Sequence, residues 1–129
     1  MGKDFTEWIT QADYDYDTAR VMRQSGRNFY AVFMCHMAVE KALKALVFQK
    51  TGNVPPKTHN LFWLLSKIEV KPPQLIGEFV IKLNEANVAT RYPDALSEMI
   101  KIYNDAITDS IIAQTLEVLS WIKTMQKTP

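Results

Sequence analysis

The sequence has one cysteine, four glycines and six prolines in 129 residues, and no apolar run of membrane length. The lone Cys35 excludes an intrachain disulfide and a multi-cysteine metal site, and its apolar neighbours mark it as a small core residue rather than a nucleophile. So few glycines and prolines argue against a linker-rich or disordered chain, and the scattered glycines form no phosphate-cradling loop. The longest apolar stretch, residues 31 to 39, is interrupted by His36 and is far shorter than the roughly 20 residues of a membrane span. Residues 1 to 8 are too polar for a signal peptide, so a cytoplasmic protein with no membrane partner is expected.

An excess of charge of one sign is also missing: 15 Lys and Arg face 14 Asp and Glu, for a net charge of +1. That balance does not announce a nucleic-acid binder, but it hides an uneven distribution. Residues 1 to 19 carry −4, residues 20 to 71 carry +7 with nine basic against two acidic side chains, and residues 72 to 129 carry −2. The middle of the chain is a candidate basic surface, provided that Arg20, Arg23, Arg27, Lys50 and Lys57 lie together; otherwise they simply solvate helix faces.

What the sequence has in quantity is hydrophobic residues, 47%, recurring at intervals of three and four and almost never at two. The whole of residues 1 to 129 therefore reads as a single all-α domain, an antiparallel up-and-down bundle of four to five helices. A first helix spans about residues 4 to 24, with Trp8, Ala12, Tyr16, Ala19 and Met22 inward, and stops at Ser25 and Gly26. Asp13, Asp15 and Asp17 fall outside that stripe, and they lack the turn glycine and distal glutamate of a calcium loop. The second helix, about residues 28 to 51, ends before Gly52 and is barred from continuing by Pro55 and Pro56. A short third helix is expected to start near Thr58, as a hydroxyl cap, and to run through the apolar residues 61 to 65. Pro72 and Pro73 open a fourth, with Ile76, Phe79, Val80 and Leu83 inward, which breaks at residues 91 to 94. A loop or irregular turn to about Asn104 precedes a last helix to about Gln126, with Ile107, Ile111, Val118, Ile122 and Met125 on one face.

One helix breaks the binary pattern. At about 100° per residue, Phe29, Val32, Phe33, Leu43 and Val47 cluster in a sector centred near His36. Glu40 is displaced from it by about 40° and Lys44 by about 80°, so three ionisable side chains run from the core stripe to its edge. A buried carboxylate without a partner costs several kcal/mol, so Glu40 requires one: His36, Lys44, a hydroxyl such as that of Tyr92, or Arg91. The cluster is either an interior pair that fixes register or a polar pocket that meets a ligand. A ferritin-type di-iron site needs Glu-x-x-His pairs, and the sequence has none, so neither a metal nor another cofactor is implied. No serine or cysteine stands in a strained turn beside a base, so no nucleophilic triad and no catalytic residue is assigned. His59, with Lys57 nearby, falls at the expected start of the third helix, where an anion such as a phosphate is favoured; otherwise it holds the loop of Pro55 and Pro56 against the bundle. Arg91 and Tyr92 form a further polar and aromatic cluster at the break after the fourth helix, with a guanidinium suited to Glu40 or a phosphate.

The run from His36 through Glu40, Lys41 and Lys44, the stretch Gly52, Pro55, Pro56, Lys57, Thr58, His59, Asn60 and Leu61, and the segment Ala89, Thr90, Arg91, Tyr92, Pro93 and Asp94 together resemble the stand-alone HEPN domains of bacteria and archaea. With Trp8, Ala12 and Asp13 at the start and the closing amphipathic helix, the resemblance extends from about Phe5 to Met125. It implies a helical bundle that forms a homodimer, a link to nucleotide or RNA binding, and a minimal nucleotidyltransferase as partner in toxin and antitoxin systems. RNA-cleaving members of the superfamily carry an Arg followed, after four to six residues, by His. Here Arg27 precedes His36 by eight intervening residues, and no His follows Arg91. The expected function is thus a non-catalytic nucleotide- or RNA-associated binding subunit whose ligand residues are His36, Glu40, Lys44, His59, Arg91 and Tyr92. The competing readings are a divergent metal-independent endoribonuclease and a purely structural interaction module, with Tyr30, Met34, Phe48 and Trp121 off the core stripes and free for self-association.

Overall fold

The structure, a computed structural model, describes residues 4–91 and 96–127, and for residues 87–91 the backbone only. Among the described residues there are six helices and no strand: α1 (Phe5–Gln24), α2 (Asn28–Thr51), α3 (Leu61–Lys67), α4 (Gln74–Arg91), α5 (Leu96–Ile102) and α6 (Asp105–Lys123). The four long helices form the bundle and the two short ones fill its connections. Cross-links between helices fix the directions. Trp8 and Asp15 of α1 meet Lys44 and Lys41 of α2, so the order reverses and the pair is antiparallel. Asp13 and Arg23 of α1 likewise meet Lys123 and Asp109 of α6 in reversed order. α2 and α6, joined from Asn28 to Asp105 and from Gln49 to the Met125 carbonyl, run parallel.

α2 is the axis of the molecule and contacts each of the other five helices. Fourteen of its 24 residues are buried, and they surround the helix rather than marking one face. Four of them are alanines, Ala31, Ala38, Ala42 and Ala45, which let neighbouring helices approach closely. Leu43 from α2, Leu61 and Leu64 from α3, Val80 from α4 and Leu119 and Ile122 from α6 complete the core. Truncating any of these leucines to alanine removes about 2 to 5 kcal/mol, because a rigid interior does not collapse to fill the void.

The helix ends follow local chemistry. The Asp4 carboxylate accepts from the Glu7 amide at 2.9 Å and caps α1. Gly52, at φ 71°, closes α2 by donating its amide to the Phe48 carbonyl at 2.7 Å, a left-handed conformation that costs a side-chain-bearing residue more than glycine. α3 departs from expectation. Its cap is Asn60, which accepts from the Trp63 amide at 3.0 Å, whereas the Thr58 hydroxyl accepts from the Asn60 amide at 3.1 Å in a local turn.

Three further differences have physical causes. The segment expected to be an irregular turn contains α5, a seven-residue helix with no buried residue of its own and hence no strong periodic signal. Asp15 is buried with the α1 core residues because Lys41, reaching across from α2, neutralises it at 2.8 Å. Ile107 is exposed, and its neighbour Thr108 is buried instead, with its hydroxyl donating to the Tyr103 carbonyl at 3.1 Å. The inner face of α6 therefore runs through Thr108, Thr115, Val118, Leu119 and Ile122, with Ile111 and Met125 packed at its margin, and α6 ends at Lys123. No helix among the described residues is long and apolar enough to cross a membrane.

Candidate functional site

Four of the six residues selected from the sequence meet at one place. His36, Glu40 and Lys44 are buried on successive turns of α2, and His59 arrives from the loop that precedes α3. Glu40 is the hub. Its Oε1 receives the Nδ1 of His59 at 2.8 Å, and its Oε2 receives the Lys44 ammonium at 3.1 Å. His36 Nδ1 stands 3.8 Å from Oε1, too far for a hydrogen bond but close enough to sense its charge. The Lys44 ammonium also lies 5.8 Å from the centroid of the Trp8 ring, which puts an aromatic face of α1 against the charge.

Of the two roles open to His59 in the sequence, an anion site at a helix start and a clasp of the Pro55 and Pro56 loop against the bundle, the structure shows the contact with the bundle. His59 precedes the Asn60 cap and turns back to the bundle, where it becomes the partner of Glu40 that helical periodicity does not supply. The loop is held for this purpose at both ends: Pro55 is buried, and the Asn84 side chain of α4 accepts from the Leu61 amide at 2.8 Å. Trp8 and Asn84 are the other site-building residues that local pattern does not disclose as such, since both come from helices distant in sequence.

The environment of the two dyad members differs sharply. The Glu40 side chain is 3% exposed and that of His59 is 49% exposed, so the imidazole covers the carboxylate and takes its solvent contact on the edge away from it. An ionised carboxylate only accepts hydrogen bonds, so the short contact assigns the proton to Nδ1 and leaves Nε2 of a neutral ring as an acceptor. Fixed orientation and fixed tautomer are what a carboxylate provides to a histidine that must meet a ligand or move a proton. Arg91 ends α4, its side chain lies outside the described residues, and Tyr92 lies outside them altogether. No group of three or more His, Cys, Asp or Glu among the described residues is arranged to hold a metal ion. Elsewhere, burial pushes the Cys35 thiol up to about 11, which leaves it protonated and inert.

Comparison with known proteins supplies the family. No curated protein matches the chain. Among solved structures, ST0689, an archaeal HEPN homologue, is 28% identical, covers 98% of this chain and 100% of its own, and superposes with a TM-score of 0.78. TT1696 from Thermus thermophilus, 23% identical, covers 93% of this chain and 96% of its own with a TM-score of 0.82, and so shares the fold. The HEPN domain model matches residues 5–125, nearly the whole bundle including both members of the Glu40 and His59 dyad, and the chain belongs to the HEPN domain family.

Proposed function

We propose that this chain is a nucleotide- or RNA-associated binding subunit that does not itself catalyse a reaction, acting in the cytoplasm as a homodimer with a minimal nucleotidyltransferase in a toxin–antitoxin-type pair. The observation that carries the reading is the half-exposed imidazole of His59, oriented by a buried carboxylate with which Lys44 is also paired. A histidine that served packing alone would need neither its exposure nor a buried anion to set its tautomer. Arg91, at the end of α4, and Tyr92 after it are proposed to add a phosphate contact and a stacking or hydroxyl contact. Exposed Tyr30, with Met34, Phe48 and Trp121 only partly buried, supplies apolar surface for a second copy. Calorimetry with nucleotides and short RNAs tests the site: heat is expected from the wild type and is expected to fall for His59→Ala and Arg91→Ala. Equal or absent heats for all three proteins would remove the pocket.

A second reading has one specific observation in its favour. Glu40 and His59 have the form of a carboxylate-oriented general base, as a metal-independent endoribonuclease would use against a ribose 2′-hydroxyl. RNA cleavage that persists in EDTA and is lost in His59→Ala would replace the binding reading with an enzymatic one.

A further inference from the structure

α3 is fastened by two leucines, Leu61 and Leu64, both fully buried, yet it carries two aromatic side chains outward. Phe62 is 60% exposed and Trp63 is 36% exposed, although neither is needed to dock a seven-residue helix already anchored twice. Trp63 lines an open groove of about 390 Å³ between the end of α2 and the start of α3, walled by Val47, Val54, Pro55 and Pro56. Two lysines border the same groove. The Lys67 ammonium lies 5.2 Å from the centroid of the Trp63 ring, and Lys50 reaches in from the last turn of α2. The groove's acidic residue, Glu69, is matched by Lys50 at 3.2 Å, so the lining retains one positive charge in excess.

From this juxtaposition of a half-exposed indole, apolar walls and net positive charge, we propose that the groove is a platform for a nucleobase bearing a phosphate, with the base stacked on Trp63 in place of the Lys67 ammonium and the phosphate met by the displaced Lys67. The inference rests on the nucleotide- or RNA-associated reading and adds to it a second contact point, separate from His59. An indole face accepts any base, and an ammonium beside the stacked base attracts any phosphate, so the platform tolerates sequence and binds in a salt-dependent way. The Lys67 ammonium that rests on the ring exchanges this contact for the phosphate when a base takes its place.

The test titrates the full-length protein with adenosine monophosphate and, separately, with a short oligoadenylate, reading tryptophan fluorescence and calorimetric heat. Quenching that saturates is expected with the wild type, an affinity loss of about tenfold or more with Trp63→Leu, and a smaller loss with Trp63→Phe, which keeps a ring. Lys67→Gln is expected to lower the dependence of log affinity on log salt by about 0.7 for one lost phosphate contact. Circular dichroism matching the wild type separates these effects from unfolding. Binding of the mononucleotide with the same Trp63 dependence would identify a free nucleotide as occupant, and binding of the oligoadenylate alone would identify a strand. Retention of wild-type affinity in Trp63→Leu while His59→Ala loses it would overturn the platform and leave the binding reading standing. Failure of the wild type to bind either probe would overturn both.

Discussion

Nδ1 of His59 and Oε1 of Glu40 are 2.8 Å apart although 19 positions separate them in the chain. The contact joins an exposed ring on a loop to a carboxylate inside the bundle, so one side chain, Glu40, serves two ends: it satisfies Lys44 in the interior and it orients His59 at the surface. These two services have different energetic signatures and can be separated by mutation.

Glu40→Gln keeps the size of the side chain but removes its charge, and leaves the buried Lys44 ammonium without its anion. A loss of about 3 kcal/mol is expected, since breaking one half of a buried pair strands the other half. Urea denaturation near neutral pH reads it directly. The double replacement Glu40→Leu with Lys44→Met removes both charges, and its stability is expected to stay within about 1 kcal/mol of the wild type or to exceed it. If the cluster only fixed packing, that double variant would bind nucleotides as the wild type does. Loss of binding heat in a well-folded double variant is the outcome that the site reading requires.

Asp15→Ala tests the buried pair between α1 and α2. Lys41 Nζ stands 2.8 Å from Asp15 Oδ2 as an ion pair, and both side chains are largely withdrawn from water. Removing the carboxylate is expected to cost about 2 kcal/mol, within the range for leaving a largely buried polar group without its partner. A double-mutant cycle with Lys41→Met isolates the pair, and an interaction energy near zero would show that the contact contributes nothing to the fold.

The same two ion pairs show what the sequence can and cannot disclose. Helical phase is a local property, so the grouping of His36, Glu40 and Lys44 on one side of α2 is legible from their spacing, whereas their burial reflects the place of α2 at the centre of the bundle, where it is enclosed on every side. The burial of Asp15 is not, because the charge that makes it tolerable stands on another helix. His59 is legible as a residue of interest but not as the partner of Glu40, since its direction is set by Pro55, Asn60 and Asn84 across a loop without periodicity. The four long helices stand where the spacing of their apolar residues puts them, whereas α5 has no fully buried residue, only Met99 packed partly against the core, and leaves no stripe to find. The spacing of Ile107 from Ile111 points it inward, but a buried threonine with its hydroxyl satisfied by a backbone carbonyl competes well for a core position.

Cys35 gives the fold a dependence on alkaline pH. Burial holds its thiol at about 11, against 9.0 for an ordinary thiol, and a hydrogen bond with Thr115 offsets a lesser part of the shift. Because the folded chain keeps the proton to a higher pH than the unfolded one, this contribution to stability is complete below about 9 and is lost as pH rises toward about 11. Tyr16 and Tyr103, also raised by burial, act in the same direction above 10.0. Comparing the wild type with Cys35→Ala across that window isolates the thiol: the wild type is expected to lose up to about 3 kcal/mol more than the variant. At pH 8 the native thiol is expected to resist alkylation by iodoacetamide and to react once the chain is unfolded. Rapid labelling of the folded protein would contradict its burial.

Asn84 ties α4 to the loop that positions His59. Its Oδ1 accepts from the Leu61 amide at 2.8 Å, and its Nδ2 reaches the Asn60 Oδ1 at 3.4 Å, beside the bond by which Asn60 caps the Trp63 amide. Asn84→Ala leaves the Leu61 amide without an acceptor and is expected to cost about 1 kcal/mol, as the loss of a helix cap does. Its further effect is on His59, because a loop freed at this end no longer holds the imidazole against Glu40 at a fixed angle. Proton and nitrogen NMR of the His59 ring reads the consequence without reference to any ligand. In the wild type the ring is expected to be a single tautomer protonated at Nδ1, and in Asn84→Ala a mixture of the two. Asn84→Asp, which keeps an acceptor for the Leu61 amide, is expected to restore most of the single-tautomer signature. An unchanged tautomer in Asn84→Ala would show that Glu40 alone orients the ring and that α4 has no part in the site.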